Sequence, residues 1–363
     1  MMKRKRFHRI SFEKLLLIAL IFLFLVGCAT DIRVPPTEET RLDGLSQDEA
    51  VTLASLTLVD DYPLYTMHYQ GAYSHRLASV VNNQGTLAAT QPPIQVSLEL
   101  PSWACSLFTA LGDEDNLVYG RNFDWEFSPT VLLFTDPPDG YASVSMVDIA
   151  YLGFSEDKVK TLVDLPLVER SALLDAPFLT FDGMNEHGLA VGMAAVPPGN
   201  MQPDPQKDTL DSLMVIRLIL DNAAVVDEAV GILASHNINY GGGPPLHYLI
   251  ADASGDSVLV EFYQGEMVVI PNESPWHLAT NFLLASVRES PQGVCERYDT
   301  LFENLSESGG QITALEAMAF LQEVSQGNTQ WSIVYAMSAS EVAVVMDRDY
   351  DEIYTFPFVL RTE

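Results

Sequence analysis

The chain has 363 residues, a formal net charge of −30 at pH 7 and 48% hydrophobic residues. A chain of this length and hydrophobicity buries a large core, so we expect one sizeable domain or two. The strong negative charge argues against nucleic acid and anionic membrane surfaces as partners, because both are bound through basic patches.

The N-terminus has the pattern of a secretory signal. Residues 1–14 contain six Lys and Arg residues and one Glu, and an apolar run of 12 residues follows at 15–26. Such a run is too short to span a bilayer as a helix but suits the core of a signal peptide. It ends in Leu-Val-Gly-Cys, which resembles a bacterial lipobox, so we expect loss of residues 1–27 and lipidation of Cys28. An uncleaved membrane anchor is the alternative, and both readings place the body of the protein outside the cytoplasm, at a bacterial membrane.

The mature chain would begin with a tether and a first foldable segment. Removal of residues 1–27 lowers the net charge to −35, and the polar, proline-containing stretch at 28–45 suits a tether away from the membrane. Ser46 and Glu49 match a capping box, which predicts a helix continuing to residue 58. Strands are predicted at 64–69 and 94–100.

The stretch from Trp103 to Trp125 is the most informative for chemistry. An apolar strand at 106–111, turn-forming residues at 112–116 and a second strand at 117–124 predict a hairpin. Pairing of the two strands would bring Arg121 and Asp124 close to Cys105. A thiol beside a guanidinium and a carboxylate is a candidate activated nucleophile.

The rest of the chain alternates hairpins with helices. This alternation predicts an α+β protein in which antiparallel sheets are covered by helices. The predicted strands lie at 178–184, 189–196, 246–252, 257–263, 266–270, 331–337, 341–346 and 353–356, with a short apolar piece at 276–282. The predicted helices lie at 208–222, 225–235, 293–305 and 313–324, the last opened by a capping box of Thr313 and Glu316.

Three other readings of Cys105 stay open at this point. An inert core thiol is the simplest, since cysteine is among the most buried residue types. A disulfide to Cys295 is expected in an oxidising compartment and would block Cys105 as a nucleophile. A papain-like pair with His247 or His277 is the third, although neither has a local signature. None of the histidines has zinc-ligand spacing, so no metal and no cofactor is expected.

Four motifs together resemble the cysteine N-terminal nucleophile hydrolases. They are Cys105 itself, GRNFDW with Arg121 and Asp124, GMNEHGLAVG with Asn185, and ATNF with Asn281. Within these hydrolases the chain is similar to the linear amide C–N hydrolases of the choloylglycine hydrolase, penicillin V acylase and isopenicillin-N acyltransferase group, which is peptidase C45-like. The resemblance implies a four-layer αββα sandwich of two antiparallel sheets and a small N-acyl amide as substrate.

The resemblance also implies a role for each matched residue. Self-cleavage between Ala104 and Cys105 would leave 46–104 as a propeptide or small subunit and 105–363 as the catalytic domain. Cys105 would supply the thiolate and an α-amine, with Arg121 beside the thiol and Asp124 holding the amine. Asn281, with groups at Asn185, would form the oxyanion hole.

Two features depart from the family pattern. The choloylglycine branch has an arginine late in the chain near the site, whereas residues 329–332 contain none, which argues against bile-salt specificity. The acyltransferase branch usually has glycine before the nucleophile, where this chain has Ala104. We therefore predict a self-cleaved amide hydrolase, with N-acyl transfer or a non-catalytic binding lipoprotein as alternatives. The sequence leaves the oligomeric state open.

Overall fold

We describe the fold from a computed structural model. The structure describes residues 44–76, 105–154, 159–287, 290–339 and 341–359, all of which fall within one compact unit, Leu42–Glu363. The predictions for Cys28, for Ala104 and for a strand at 94–100 lie outside the described residues.

The α-helices of the described ranges largely follow the sequence prediction, although the first ends at Ala54 and the predicted helical residues 57 and 58 begin a strand instead. The capping box at Ser46 is confirmed, because its Oγ accepts from the Glu49 N–H at 3.2 Å while the Glu49 carboxylate accepts from the Ser46 N–H at 2.8 Å. The capping box at Thr313 is confirmed as well. The helices are α1 (Gln47–Ala54), α2 (Met214–Asn222), α3 (Val226–Ala234), α4 (Glu296–Ser308) and α5 (Ala314–Glu323).

The predicted helix at 208–222 is wrong in its first part. Residues Thr209–Asp211 form a short strand that pairs in parallel with Asn237–Asn239, and the helix begins only at Met214. A long-range strand pairing has therefore overridden the helical pattern of the local sequence.

The strands, as far as the structure describes the chain, are short and mostly buried. They are β1 (Thr57–Asp60), β2 (Leu64–Tyr69), β3 (Ser106–Ala110), β4 (Val118–Asp124), β5 (Thr130–Thr135), β6 (Ser143–Asp148), β7 (Thr180–Asn185), β8 (Ala190–Ala195), β9 (Thr209–Asp211), β10 (Asn237–Asn239), β11 (Leu246–Ala251), β12 (Ser257–Tyr263), β13 (Glu266–Pro271), β14 (Trp276–Ala279), β15 (Thr329–Ala336), β16 (Glu341–Met346) and β17 (Tyr354–Pro357).

Two large sheets contain nearly all of these strands. Among the described residues, one sheet has nine strands in the order β1-β2-β5-β6-β7-β8-β11-β12-β13, and the other has six in the order β14-β3-β4-β15-β16-β17. Neighbouring strands run antiparallel in both sheets, except that β2 runs parallel to β5. The segment before Cys105 therefore contributes two strands to the larger sheet.

The sheets pack face to face and carry helices on their outer faces. Strands β3 and β14 of the smaller sheet contact β8, β11 and β12 of the larger one. Helix α2 covers β7 and β8, whereas α4 and α5 cover β14, β3, β4 and β15. This order of layers is the αββα sandwich that the resemblance of the four motifs implied, and the α+β class is confirmed.

A glycine on β8 allows the two sheets to approach closely. A Cβ atom at Gly192 would lie 2.8 Å from the hydroxyl oxygen of Tyr119 on the opposing sheet and 3.1 Å from Leu107 Cδ2. Real side chains do not tolerate the first of these distances, so a larger residue here would push the sheets apart. Among the residues that the structure describes, no helix has both the length and the hydrophobicity needed to cross a bilayer.

Candidate active site

Strand register brings the predicted site residues to one end of the smaller sheet. Ser106 of β3 lies opposite Asn122 of β4, so the end of β4 with Asp124 runs past Cys105. On the other side of β3, Ala279 of β14 lies opposite Leu107, and Asn281 follows two residues later. The predicted pairing of the first hairpin is confirmed.

Cys105 is buried directly before β3, with 2% of its surface exposed. Burial raises the pKa of the Cys105 thiol because the charged thiolate is poorly solvated there. Arg121 and a hydrogen bond from the main chain of Asp124 act in the opposite direction but do not cancel that effect. The thiol is therefore protonated at neutral pH, and nucleophilic chemistry at this sulfur needs a base.

Arg121 is fully buried between the two sheets and forms an ion pair with Asp182 of β7. Its Nη1 also donates to the Phe181 carbonyl oxygen at 2.9 Å, and its guanidinium lies 5.0 Å from the ring centroid of Phe123. Burial alone would lower the pKa of Arg121, but Asp182 raises it, so the side chain stays charged. Arg121 thus supplies a fixed positive charge near Cys105.

Asp182 is part of the site that the sequence reasoning missed. Its second carboxylate oxygen accepts from the Tyr335 hydroxyl, and its side chain is fully buried. A signal was present, since a charged residue within an otherwise apolar strand usually has a buried partner. What the sequence lacks is the identity of that partner, which lies on the other sheet.

Asp124 lies at the end of β4 with its carboxylate buried. The Thr329 hydroxyl of β15 donates to its Oδ1, and Oδ2 has no hydrogen-bond partner in the described part of the chain. Burial raises the pKa of Asp124 to about 7, against the opposing effects of Thr329, Arg297 and Arg121. Oδ2 is therefore a free acceptor suited to an ammonium or amine group at Cys105.

Arg297 of α4 is a second residue that the sequence reasoning missed. Its Nη1 donates to the main-chain oxygen of Cys105 and, at 2.9 Å, to Ser106 Oγ, while its Nη2 donates to Asn281 Oδ1 at 3.0 Å. Asn281 in turn donates from Nδ2 to the Ala195 carbonyl oxygen at 2.8 Å. These contacts fix the orientation of the Asn281 amide, whose second Nδ2 hydrogen is left for an incoming oxyanion.

The sequence did offer a weak indication of Arg297. A cation in the first turn of a helix opposes the helix dipole, so an arginine at that position calls for a local partner. Residues 329–332 contain no arginine, but α4 provides the site with a late arginine, Arg297. The composition of residues 329–332 therefore does not argue against bile-salt specificity.

The side chain of Asn185 is engaged by partners outside the predicted oxyanion hole. Its Nδ2 donates to the carbonyl oxygens of Leu220 and Ala223, and its Oδ1 accepts from the N–H groups of His187 and Leu189. With both amide hydrogens already used, the side chain as positioned is not a donor for an oxyanion at Cys105. It closes the β7–β8 turn and joins it to the end of α2, so we leave Asn185 out of the oxyanion hole.

The disulfide and the papain-like pair lack structural support. Cys105 and Cys295 are both free thiols, so the expected disulfide is wrong. His247 bonds through Nδ1 to Glu261 at 3.1 Å, and His277 bonds through Nδ1 to Ser257 at 3.2 Å. Neither ring has Cys105 as a hydrogen-bond partner among the described residues.

Comparison with known proteins agrees with this geometry. Residues 105–281 match the family of linear amide C–N hydrolases, choloylglycine hydrolase family. A penicillin V acylase of Pectobacterium atrosepticum is 32% identical over 101 residues, which is 25% of this chain and 27% of that protein. The chain thus aligns with only about a quarter of that relative's length.

Two solved structures were compared with the fold. A mutant conjugated bile acid hydrolase from Clostridium perfringens gives a TM-score of 0.48 at 15% identity, covering 70% of this chain and 92% of that one. A penicillin V acylase from Agrobacterium tumefaciens gives 0.45 at 17% identity, covering 69% and 90%. The sequence match begins at Cys105 and ends at Asn281, the two residues that strand register brings together. Over residues 105–281, just under half of its length, the chain is similar to the choloylglycine hydrolase family of linear amide C–N hydrolases.

Proposed function

We propose that the protein is a self-processed cysteine hydrolase that cleaves the amide bond of a small N-acyl compound. The observation that carries this proposal is the arrangement around Cys105. A buried thiol that needs a base lies beside a fixed cation, a carboxylate with a free oxygen and an oriented amide. The match of residues 105–281 to the linear amide C–N hydrolases supports the reaction class.

The base in this proposal is the α-amine of Cys105, exposed by cleavage of the Ala104–Cys105 bond. An α-amine has a pKa of roughly 7.7–8.0, so it accepts a proton near neutral pH. The raised pKa of the thiol makes such a base necessary, and Asp124 Oδ2 provides an acceptor that holds the ammonium form. Arg297, bonded to the Cys105 main chain, keeps this residue in place.

The reaction then proceeds in two halves. The α-amine takes the thiol proton as Sγ attacks the amide carbonyl carbon, and Asn281 Nδ2 donates to the resulting oxyanion. Collapse breaks the C–N bond, the ammonium returns its proton to the leaving amine, and a thioester remains on Sγ. Water adds to the thioester, gives a proton to the α-amine, and releases the carboxylic acid and the free thiol.

The location and attachment of the enzyme are also proposals. The signal pattern at 1–27 supports export and lipidation of Cys28, with the catalytic domain outside the cytoplasm. Incorporation of labelled palmitate into the full-length protein, and its loss in Cys28→Ser, would support this attachment. Equal labelling of both proteins would contradict it.

The relative's name directs the first substrate screen. That protein is a penicillin V acylase, so the screen starts with penicillin V and a series of N-acyl p-nitroanilides of increasing acyl length. We expect the wild-type protein to release the amine and Cys105→Ala to release none. Cys295→Ala is the matched control, because Cys295 is the other free thiol of the described chain and has no assigned role.

Two outcomes of this screen redirect the proposal. Full activity in Cys105→Ala would overturn it. Formation of a hydroxamate at the expense of the acid, when hydroxylamine is supplied as a competing amine, would identify N-acyl transfer as the main reaction. The free state of both cysteines does not favour a binding protein held by a disulfide.

A further inference from the structure

A buried acid–base pair on the larger sheet faces the neighbourhood of Asn281. Glu261 of β12 is 0% exposed and His247 of β11 is 1% exposed. The register of these strands places Tyr248 opposite Val260, so His247 and Glu261 are cross-strand neighbours, and His247 Nδ1 lies 3.1 Å from Glu261 Oε1. Burial of a carboxylate at this depth requires strong hydrogen bonds.

Glu261 satisfies that requirement at the turn that follows Asn281. Its Oε1 accepts from the N–H of Leu284, and its Oε2 accepts from the N–H of Ala285, both at 2.8 Å. These two residues open the 3-10 turn Leu284–Ser286. The carboxylate therefore caps a turn that belongs to the chain leaving the other sheet, and it links the two sheets at this end.

The capped turn begins three residues after Asn281. Three residues of chain span at most about 11 Å, so the position of Leu284 limits where Asn281 lies. On the same sheet, His247 lies opposite Ala194, and the next residue, Ala195, accepts the hydrogen bond from Asn281 Nδ2. The pair thus borders Asn281 on two sides, through the turn after it and through the strand that holds its amide.

We propose that Glu261, oriented by His247, is a positioning residue that fixes Asn281 for oxyanion stabilisation. This inference rests on the proposed function. We call the two hydrogen bonds from Leu284 and Ala285 to Glu261 the clamp. Loss of the clamp is expected to displace the oxyanion donor and to leave the nucleophile in place, which a purely structural role of Glu261 does not predict. Cys105 lies directly before β3, Arg121 and Asp124 lie on β4, and none of the three has a hydrogen bond to Glu261 in the described chain.

The test compares Glu261→Gln with Glu266→Gln in the full protein. Glutamine keeps the size of the side chain but places an NH₂ group against one of the two N–H donors, so one clamp bond is lost. Glu266 on the neighbouring β13 is exposed and provides the same chemical change without a clamp. Steady-state kinetics use the best substrate of the screen described above, and iodoacetamide measures thiol reactivity.

For Glu261→Gln we expect kcat to fall about 10- to 100-fold with KM within about twofold of wild type, since a displaced donor acts in the transition state. The alkylation rate of Cys105 is expected to match that of Glu266→Gln. Amide hydrogen exchange is expected to be faster than in wild type at residue 284 or 285, whichever N–H loses its acceptor. If Glu261→Gln does not fold, His247→Leu leaves the clamp but removes its orienting partner, and a smaller, several-fold loss of kcat is expected.

The opposing outcomes are distinct. Unchanged kcat in a folded Glu261→Gln, or parallel losses of kcat and alkylation rate, would overturn the positioning role. No turnover by either wild type or Glu266→Gln would contradict the proposed function instead. In that case hydrogen exchange still decides whether Glu261 holds this turn, because exchange at both 284 and 285 in Glu261→Gln that is as slow as in wild type would exclude it.

Discussion

Replacement of Asp148 by asparagine is expected to stabilise the fold, and to do so more strongly at alkaline pH. Asp148 ends β6 with 1% of its surface exposed, and its Oδ1 accepts from the Ala150 N–H at 2.9 Å. Burial raises the pKa of its carboxyl from an ordinary 3.8 to about 7, because hydrogen bonds from Ser128 and Ala150 offset only part of the lost solvation. Unlike Asp124, it has no place in the proposed reaction.

The sign of the effect follows from the direction of this pKa. A group with a raised pKa in the folded state binds its proton more tightly there, so its contribution to stability is lost as pH rises from about 4 towards about 7. From the two pKa values, Asp148 lowers the free energy of unfolding, relative to its value at a pH below both, by about 2 kcal/mol at about pH 5.5 and by about 4 kcal/mol at about pH 8.5. Asparagine has no such cost at either pH.

The assay is urea unfolding of both proteins at those two pH values. The gain from Asp148→Asn is expected to be about 2 kcal/mol larger at the higher pH, and this difference cancels any constant effect of the new amide group. Asp256→Asn is the control, since Asp256 is exposed in the β11–β12 turn. A difference between mutant and wild type that stays constant with pH would refute a carboxyl titrating near 7 at this position.

Three further predictions concern the site and its support. Asn281→Ala is expected to lower kcat about 10²- to 10³-fold with unchanged iodoacetamide alkylation of Cys105, and equal loss of both would contradict its role as an oxyanion donor. Asp182→Asn leaves the charge of Arg121 buried without an anionic partner, so urea unfolding is expected to show a free energy of unfolding lower by about 3–5 kcal/mol. The control is Asp347→Asn in the exposed pair with Arg348, for which we expect a decrease under about 1 kcal/mol. Equal decreases in the two variants would contradict a buried ion pair. After cleavage at Cys105, the piece containing β2 is expected to co-elute with the rest on native size exclusion and to separate in denaturant, because β2 lies inside the larger sheet; its loss under native conditions would contradict this.

Local patterns in the sequence predicted the hairpins and the capped helices well. The β3–β4 hairpin was readable because two apolar runs are separated by turn formers, and its pairing brought Arg121 and Asp124 to Cys105 without any knowledge of the fold. The capping boxes were readable for the same reason, since cap and acceptor are three residues apart. In both cases the partners are close in sequence.

The parts that escaped prediction depend on distant partners. Arg297 reaches Cys105 across 192 residues, and Asp182 meets Arg121 from the opposing sheet. Both contacts join residues that are far apart in the chain, and no local pattern in a single sequence indicates that they meet. For Asn185 the opposite holds: its motif and spacing predicted a role in the site, whereas its side chain bonds to the local turn and to the carbonyl oxygen of Ala223, just after α2.

Intact mass with N-terminal sequencing of the purified protein tests the central claim most directly. The account predicts a fragment that begins Cys-Ser-Leu-Phe, so that Cys105 has a free α-amine, and predicts that Cys105→Ala remains uncut and inactive. A single uncut chain that still hydrolyses N-acyl amides would contradict the proposed base.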